Sequence, residues 1–166
     1  MRFAPIAAAL SLALAVTSSV AFSREPVASP QAAALIADGR AALKDGKTQA
    51  AIDAFEAALA VDPAYSPVLL DLAAAARKEG LTGKAIAYYR EMLTRDPRNL
   101  SAIAGEGAAL VEKGAVEKAR GKLSQLTSLC GTNCPQAREL SAAIARGPAM
   151  PALAAETAGT TKPAQN

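Results

Sequence analysis

Two cysteines near the end of the sequence are the side chains best suited to chemistry. Cys130 and Cys134 are separated by three residues, among them Gly131, and are followed directly by Pro135. Two thiols at this spacing are expected to form a disulfide in an oxidising compartment, where so short a loop would contribute about 2 kcal/mol to stability. The alternative is a redox-active pair, but Cys-x-x-Cys oxidoreductases have two intervening residues and a sheet behind them. We therefore expect a structural disulfide that fixes the start of the next helix.

The sequence lacks the residues that most other catalytic mechanisms require. The 166 residues include no histidine and no tryptophan, and two cysteines cannot complete a four-cysteine metal site. Ser-His-Asp triads, histidine-ligated zinc and histidine general bases are therefore excluded. The formal net charge of +3 is modest and comes without the block of Lys and Arg that typically binds nucleic acid. The sequence indicates a protein that is not an enzyme, needs no cofactor or metal and has no nucleic-acid partner.

The first residues have the features of an export signal. Arg2 gives a positive start, residues 4–16 form an apolar run, and Ser19 and Ala21 are small residues where a signal peptidase requires them. An apolar run of this length is too short for a membrane span, which takes about 20 residues. We predict a signal peptide over residues 1–21, cleaved after Ala21, with Ser23 as the alternative.

Both flanks of the central region are expected to be short or unstructured after that cleavage. Residues 22–30 would form a short linker, and residues 147–166, with three prolines and no sustained period, a disordered tail. The mature protein would have no transmembrane anchor. We expect an exported, soluble protein, most simply in a bacterial periplasm.

The centre of the chain repeats itself every 34 residues. Aligning residues 32–65 with residues 66–99 gives 11 identical residues, and the glycines Gly46, Gly80 and Gly114 keep the same spacing. Such a period indicates stacked supersecondary units that bury a face together. Apolar residues within each unit follow a helical period, so that each unit should be an antiparallel helix pair. The expected helices are 31–44, 48–61, 67–78, 83–95, 100–112 and 115–129.

Helix ends are marked by particular residues. Ser29 and Ser66 each precede a proline, which predicts a capping hydroxyl before the first helical position, and Thr48 and Thr82 are expected to cap the second helices. The three spaced glycines fall between the helices of each pair, where a left-handed residue allows the chain to turn. After the cysteines, residues 135–146 predict a seventh helix that caps the open end of the stack.

This pattern resembles the tetratricopeptide repeat (TPR) family. The resemblance covers three units, at about 32–65, 66–99 and 100–133, within a domain of residues 31–146, and implies an all-α solenoid of three helix-turn-helix units plus the capping helix. Small residues would let the helices of a pair approach, bulky residues would fill the gap toward the next unit, and prolines would end each unit. The matching residues are Gly39, Gly107, Ala51, Ala85, Ala119, Phe55, Tyr89, Leu123, Pro63 and Pro97.

Three features depart from the family pattern. The chain has no tryptophan, Asp38 and Glu106 stand where an apolar residue is usual, and Gly131 stands where proline is expected. These departures mark the outer units as degenerate without upsetting the fold.

The resemblance also implies where a partner would bind. In this family the first helix of each pair lines a concave groove that suits an extended peptide or a helix. Its small apolar floor would carry cations able to steer an acidic segment. The candidates in this sequence are Arg40, Lys44, Leu70, Asp71, Ala74, Arg77, Lys78, Ala108 and Glu112. Family members that clamp a terminal carboxylate use Lys and Asn side chains, and here Ala37, Asp71 and Gly105 stand in the asparagine positions, which argues against that activity.

The functional hypothesis is a non-catalytic scaffold or assembly factor in the periplasm that binds another protein, for example in an envelope, pilus or secretion complex. Two alternatives stay open. One is a thiol-redox accessory protein that uses Cys130 and Cys134. The other is a glycan- or peptidoglycan-binding module, for which the mature chain offers few aromatic residues besides Phe55 and Tyr89, which are assigned to the core.

Overall fold

The computed structural model describes residues 26–148, which form seven α-helices and no strand. The helices are α1 (Pro30–Lys44), α2 (Thr48–Val61), α3 (Val68–Lys78), α4 (Thr82–Arg95), α5 (Leu100–Glu112), α6 (Val116–Cys130) and α7 (Pro135–Arg146). All begin and end within one residue of the expected bounds. The proposed signal peptide and its cleavage site, the start of the linker and the tail beyond residue 148 lie outside the described residues.

The turn within each pair has the same hydrogen-bonded form three times. Gly46, Gly80 and Gly114 adopt φ values of 76°, 77° and 80°. The residue after each glycine donates its backbone N–H to a carbonyl five residues earlier, as in the 2.9 Å bond from Lys47 to Ala42. This is the Schellman arrangement, which satisfies the last carbonyls of the first helix and needs a left-handed residue at the turn.

Capping follows the sequence prediction at one of four positions. Ser29 Oγ accepts a 3.3 Å bond from the Ala32 N–H, which confirms its capping role. Thr48 and Thr82 do not cap, because the glycine turn already places each of them in the first helical turn, and the Thr82 hydroxyl donates to the Gly80 carbonyl instead. Ser66 was also predicted wrongly, since the Leu69 N–H bonds to its carbonyl and not to its hydroxyl.

The helix pairs stack in chain order. Helices pair as α1 with α2, α3 with α4 and α5 with α6, while α2 packs on α3 and α4 on α5. The seventh helix packs on both α5 and α6, as expected of a cap, and its Leu140 is buried. No helix within residues 26–148 has the length and apolar character needed to cross a membrane.

Two of the small residues predicted to permit close approach, Gly39 and Gly107, do so, but one of them meets a different helix from the one expected. A Cβ on Gly39 would come within 2.6 Å of the Phe55 ring, so α1 and α2 meet there as expected. A Cβ on Gly107 would instead meet Leu140, at 2.5 Å. The nearest neighbour of Gly107 is therefore the capping helix and not its own partner helix, because α7 occupies the place that a further repeat would take.

Candidate functional site

The first helices of the units form one face of the molecule, which we call the first-helix face (α1, α3 and α5). Helices α3 and α5 contact each other across it, whereas the second helices α4 and α6 pack less closely. Two clefts open on this face, one at each end. Both contain residues that the sequence placed there.

The first cleft lies along α1 and has a volume of about 380 Å³. Its lining is small and apolar apart from two cations, Arg40 and Lys44, and Tyr65 closes it from the loop before α3. Lys44 is exposed and forms no ion pair with another described residue. This cleft suits an apolar side chain with a carboxylate beside it.

The second cleft, of about 520 Å³, lies between α3, α5 and α7. Arg77 and the Tyr89 ring form one wall, and small residues of α5 form its floor. The far wall belongs to α7. The polar groups that α7 contributes are Gln136, Glu139 and Arg146.

Two ion pairs join the first helices across this face. Arg40 on α1 bonds to Asp71 on α3, with Nη2 2.8 Å from Oδ2. Arg77 on α3 bonds through Nη2 and Nε to Glu112 on α5. Both arginines had been expected to steer an acidic partner. Each is instead matched by a carboxylate from the next unit, so a partner would have to compete for it.

These pairs hold the side chains in their charged forms. The hydrogen bond that Arg40 donates to Asp71 raises the pKa of Arg40, and the bonds that Arg77 donates to Glu112 raise the pKa of Arg77, in both cases against the opposing effect of burial. Burial raises the pKa of the Tyr89 hydroxyl, although the neighbouring Arg77 lowers it. At neutral pH the face therefore presents two charged guanidinium groups and a neutral phenol.

The remaining groove candidates differ in their contacts and in their exposure to solvent. Lys78 Nζ donates to the Leu43 carbonyl on α1 at 3.1 Å, which gives a further link between first helices. Ala74 is exposed, Ala108 lines the second cleft, and Leu70 is half-buried against the core. The sequence thus placed these residues on the first helices without separating the packed residues from the accessible ones.

Three contributions to the clefts were not anticipated from the sequence. Tyr65 lines the first cleft from a loop, and the polar residues of α7 line the second. Tyr89 is buried in the core, as predicted, and it also lines the second cleft, where its hydroxyl would lie 2.7 Å from a Cβ on Gly105. The signal was available, because the first unit has Phe55 at the equivalent position, and a tyrosine that replaces a phenylalanine usually has one polar end to satisfy.

The cysteines lie elsewhere. Cys130 ends α6 and Cys134 precedes α7, and the structure joins them in a disulfide with a Cα–Cα distance of 5.8 Å. Both are half-buried, and neither lines the two clefts. The bond connects the last repeat to the capping helix.

Comparison with known proteins identifies the family of the first two repeat units. The tetratricopeptide repeat family matches residues 32–65 and 66–99, which are the first two units. No curated protein matches the sequence.

Solved structures provide the remaining similarity. The chain is similar to the TPR domain of Sgt2 from Aspergillus fumigatus, with 22% identity, a TM-score of 0.64, and coverage of 83% of this chain and 89% of that one. It is also similar to the TPR2B domain of yeast Sti1 in a pHsp70 complex (19% identity, TM-score 0.65, coverage 71% and 96%). The Yersinia enterocolitica type III secretion chaperone SycD, in complex with a peptide of the translocator YopD, gives 24% identity, a TM-score of 0.61 and coverage of 71% and 89%.

At these identities the likeness to solved structures shows the fold. Together with the two matched repeats and the three equivalent glycine turns, it identifies the helix pairs as repeats of one kind. Residues 32–65 and 66–99 are tetratricopeptide repeats, and the described part of the chain has the fold of a tetratricopeptide repeat domain.

Proposed function

We propose that this protein is a non-catalytic interaction scaffold or assembly factor that binds an extended peptide or helix of another protein on its first-helix face. The observation that supports this most directly is the pair of clefts at the two ends of that face. Between them lie the Arg40–Asp71 and Arg77–Glu112 pairs. A segment laid along the face would place side chains in both clefts and main-chain groups over the ion pairs.

The similar structures support peptide binding and also limit its kind. SycD holds a translocator peptide, and the Sti1 domain is in complex with pHsp70. Clamping of a terminal carboxylate is not part of our proposal, because Ala37, Asp71 and Gly105 replace the asparagines and Asp71 would repel such a group. We propose instead a partner segment whose apolar and hydrogen-bonding side chains bind in the two clefts.

The proposed compartment is the bacterial periplasm. It rests on the export signal that the sequence predicts for residues 1–21. The Cys130–Cys134 disulfide agrees with it, because such bonds persist in oxidising compartments. An envelope or secretion complex is the class of assembly that fits an exported adaptor of this size.

Site-specific photo-crosslinking in the native cells tests the face. A photoreactive residue at Ala74 or Ala37, both exposed on the first-helix face, should yield a covalent adduct with one protein identified by mass spectrometry. The matched controls are Ala50 and Ala57, exposed on α2, which should give no such adduct. Adducts obtained equally from both sets, or from α2 alone, would mean that this face is not the binding surface.

A charge-reversal variant gives an independent readout on the same partner. Arg40→Glu with Arg77→Glu should reduce capture of the crosslinked protein about tenfold, because each new carboxylate faces its former partner and repels an acidic segment. Lys47→Glu with Arg98→Glu makes the same charge change in two loops and should leave capture unchanged. Circular dichroism should show unaltered helicity in both variants. Equal capture by the first variant and the wild type would contradict the proposal.

A further inference from the structure

A second groove lies on the other side of the molecule, between α4 and α6; we call it the second-helix groove. It consists of two adjoining cavities of about 540 and 430 Å³, which share Arg90, Leu110 and Lys118. Apolar side chains of α4 and α5, including Leu93 and Leu110, form its floor. The groove therefore extends along the two helices, wide enough for the side chains of another chain.

The charge of this groove has one sign at its rim. Arg90, Lys113, Lys118 and Lys122 line it, and the one carboxylate among its described lining residues is Glu106. Glu106 is buried and bound by Arg90 and Lys122, so it lies below the rim. Lys113 and Lys118 are exposed, and neither forms an ion pair with any residue of the described range. The rim has an excess of positive charge, and no carboxylate within residues 26–148 pairs with Lys113 or Lys118.

Two glycines keep the groove open. Gly83 on α4 and Gly121 on α6 both line it. A Cβ at either position would have no described heavy atom within 4 Å, and neither residue has a positive φ. Glycine inside a helix costs about 1 kcal/mol relative to alanine, and here neither backbone conformation nor internal packing requires it. These glycines are explained if another molecule comes close to the two helices.

We infer that the second-helix groove binds an acidic segment of a partner protein, whose small apolar side chains enter between the helices while its Asp and Glu residues meet the lysine rim. A protein segment fits better than nucleic acid, because none of the lining residues is aromatic and no base could stack. It also fits better than a flat anionic membrane, because the apolar floor lies below the cations. This inference is independent of the proposed function, since it uses α4 and α6 and none of the first-helix clefts.

The experiment measures binding of a defined probe to the purified protein by fluorescence anisotropy. The probe is a labelled dodecapeptide of three Asp-Leu-Glu-Ala repeats, and its control is the Asn-Leu-Gln-Ala peptide. We expect saturable binding of the acidic peptide that weakens as salt is raised, and no saturable binding of the amide peptide. Backbone NMR shifts on titration should cluster at Gly83, Arg90, Lys118 and Gly121.

Variants locate the site without disturbing the fold. Lys113→Glu with Lys118→Glu should weaken binding about tenfold. Gly121→Leu should abolish saturable binding because its side chain fills the groove, whereas Gly121→Ala, which adds only a Cβ, should weaken binding by a smaller factor. Both glycine variants should melt at or above the wild-type temperature, since helix propensity rises.

Several results would overturn the inference. They are absence of saturable peptide binding by the wild type, unchanged binding by both Gly121→Leu and the double charge reversal, or shifts confined to the first-helix face. Tighter saturable binding to phosphatidylglycerol vesicles or to oligothymidylate than to the peptide would assign the groove to a different class of ligand. If the crosslinking experiment gave no adduct at Ala37 or Ala74, peptide binding in the second-helix groove would still be expected. The two proposals can therefore fail separately.

Discussion

Helix α5 presents a glutamate on each of two faces, and the surroundings of the two differ. Glu112 meets Arg77 on the first-helix face, where 39% of its side chain is exposed. Glu106 meets Arg90 and Lys122 on the side of α4 and α6, where only 2% of its side chain is exposed. Both glutamates are ion-paired, but water screens the first and is almost excluded from the second. The same chemistry should therefore have different energetic consequences.

We call Arg90, Glu106 and Lys122 the Glu106 cluster. Arg90 Nε donates to Oε1 at 2.8 Å, and Lys122 Nζ lies beside Oε2, although that second contact is an ion pair without hydrogen-bond alignment. A buried carboxylate costs several kcal/mol to desolvate, which its partners must offset. An exposed pair gains and costs little. The cluster is thus sensitive to the loss of a partner, whereas the first-helix pairs can open for a ligand.

The largest predicted effect comes from removing the partners of Glu106. Arg90→Met with Lys122→Met leaves a buried carboxylate uncompensated and should lower the free energy of unfolding by about 3 kcal/mol. Urea denaturation followed by circular dichroism at pH 7 measures it. A loss below about 1 kcal/mol would mean that water reaches Glu106 and that the two faces do not differ as described.

A control variant separates the charge from the packing. Glu106→Leu places an apolar residue where the family usually has one, and its stability should equal or exceed that of the wild type. Adding Glu106→Leu to the double methionine variant should restore most of the lost stability. If it does not, the arginine and lysine stems contribute mainly by packing. The difference between the two faces would then be one of packing and not of charge burial.

The sequence predicted the fold because the repeat fixes phase, length and turn type together. Three glycines at one period, with apolar residues in helical phase, leave little freedom in where helices begin and end. It also noted Glu106 as a departure from the apolar pattern. It did not find Arg90 and Lys122, since both partners lie on other helices, and a 34-residue period contains no information about contacts 16 residues away.

The candidate site was predicted less completely, for physical reasons. Arg40, Asp71, Arg77 and Glu112 were all placed on one face, but their pairing depends on side-chain rotamers and on the tilt between units. The second cleft needs α7, which follows no repeat period and whose position depends on the packing of Leu140 on α5. The predictions that Thr48 and Thr82 cap their helices were wrong for a similar reason. The Schellman turn brings the chain into the helix so early that each threonine is already the first helical residue.

A smaller effect is predicted for the exposed pair on the first-helix face. In a double-mutant cycle of Arg77→Ala and Glu112→Ala, the coupling energy should be below about 1 kcal/mol, because solvent screens the pair. Thermal or urea unfolding of the four proteins gives the value. Coupling above about 2 kcal/mol would make the pair a structural element of the stack. It would then not be available to a partner, and the proposed binding face would lose one of its polar contacts.

The smallest effect concerns Glu56, which links α2 to α4 and is the most exposed of the three glutamates, with 43% of its side chain exposed. It accepts hydrogen bonds from Lys84 Nζ at 2.7 Å and from the Tyr88 hydroxyl at 2.6 Å. The bond from Lys84, followed by that from Tyr88, holds the pKa of Glu56 below its ordinary value of 4.5.

Because the pKa of Glu56 is lower in the folded state, its contribution to stability is present above the ordinary glutamate pKa and is lost as the pH falls through the lowered value. Glu56→Gln should therefore cost about 0.5 kcal/mol at pH 7, a value that solvent screening keeps small, and should match the wild type at an acidic pH below the lowered pKa. Melting temperatures of both proteins at the two pH values measure this difference. If the two proteins differed in melting temperature by the same amount at both pH values, the substitution would act through packing or hydrogen bonding and not through the loss of charge. Glu56 would then belong with packing contacts, and carboxylate exposure alone would no longer rank the three sites.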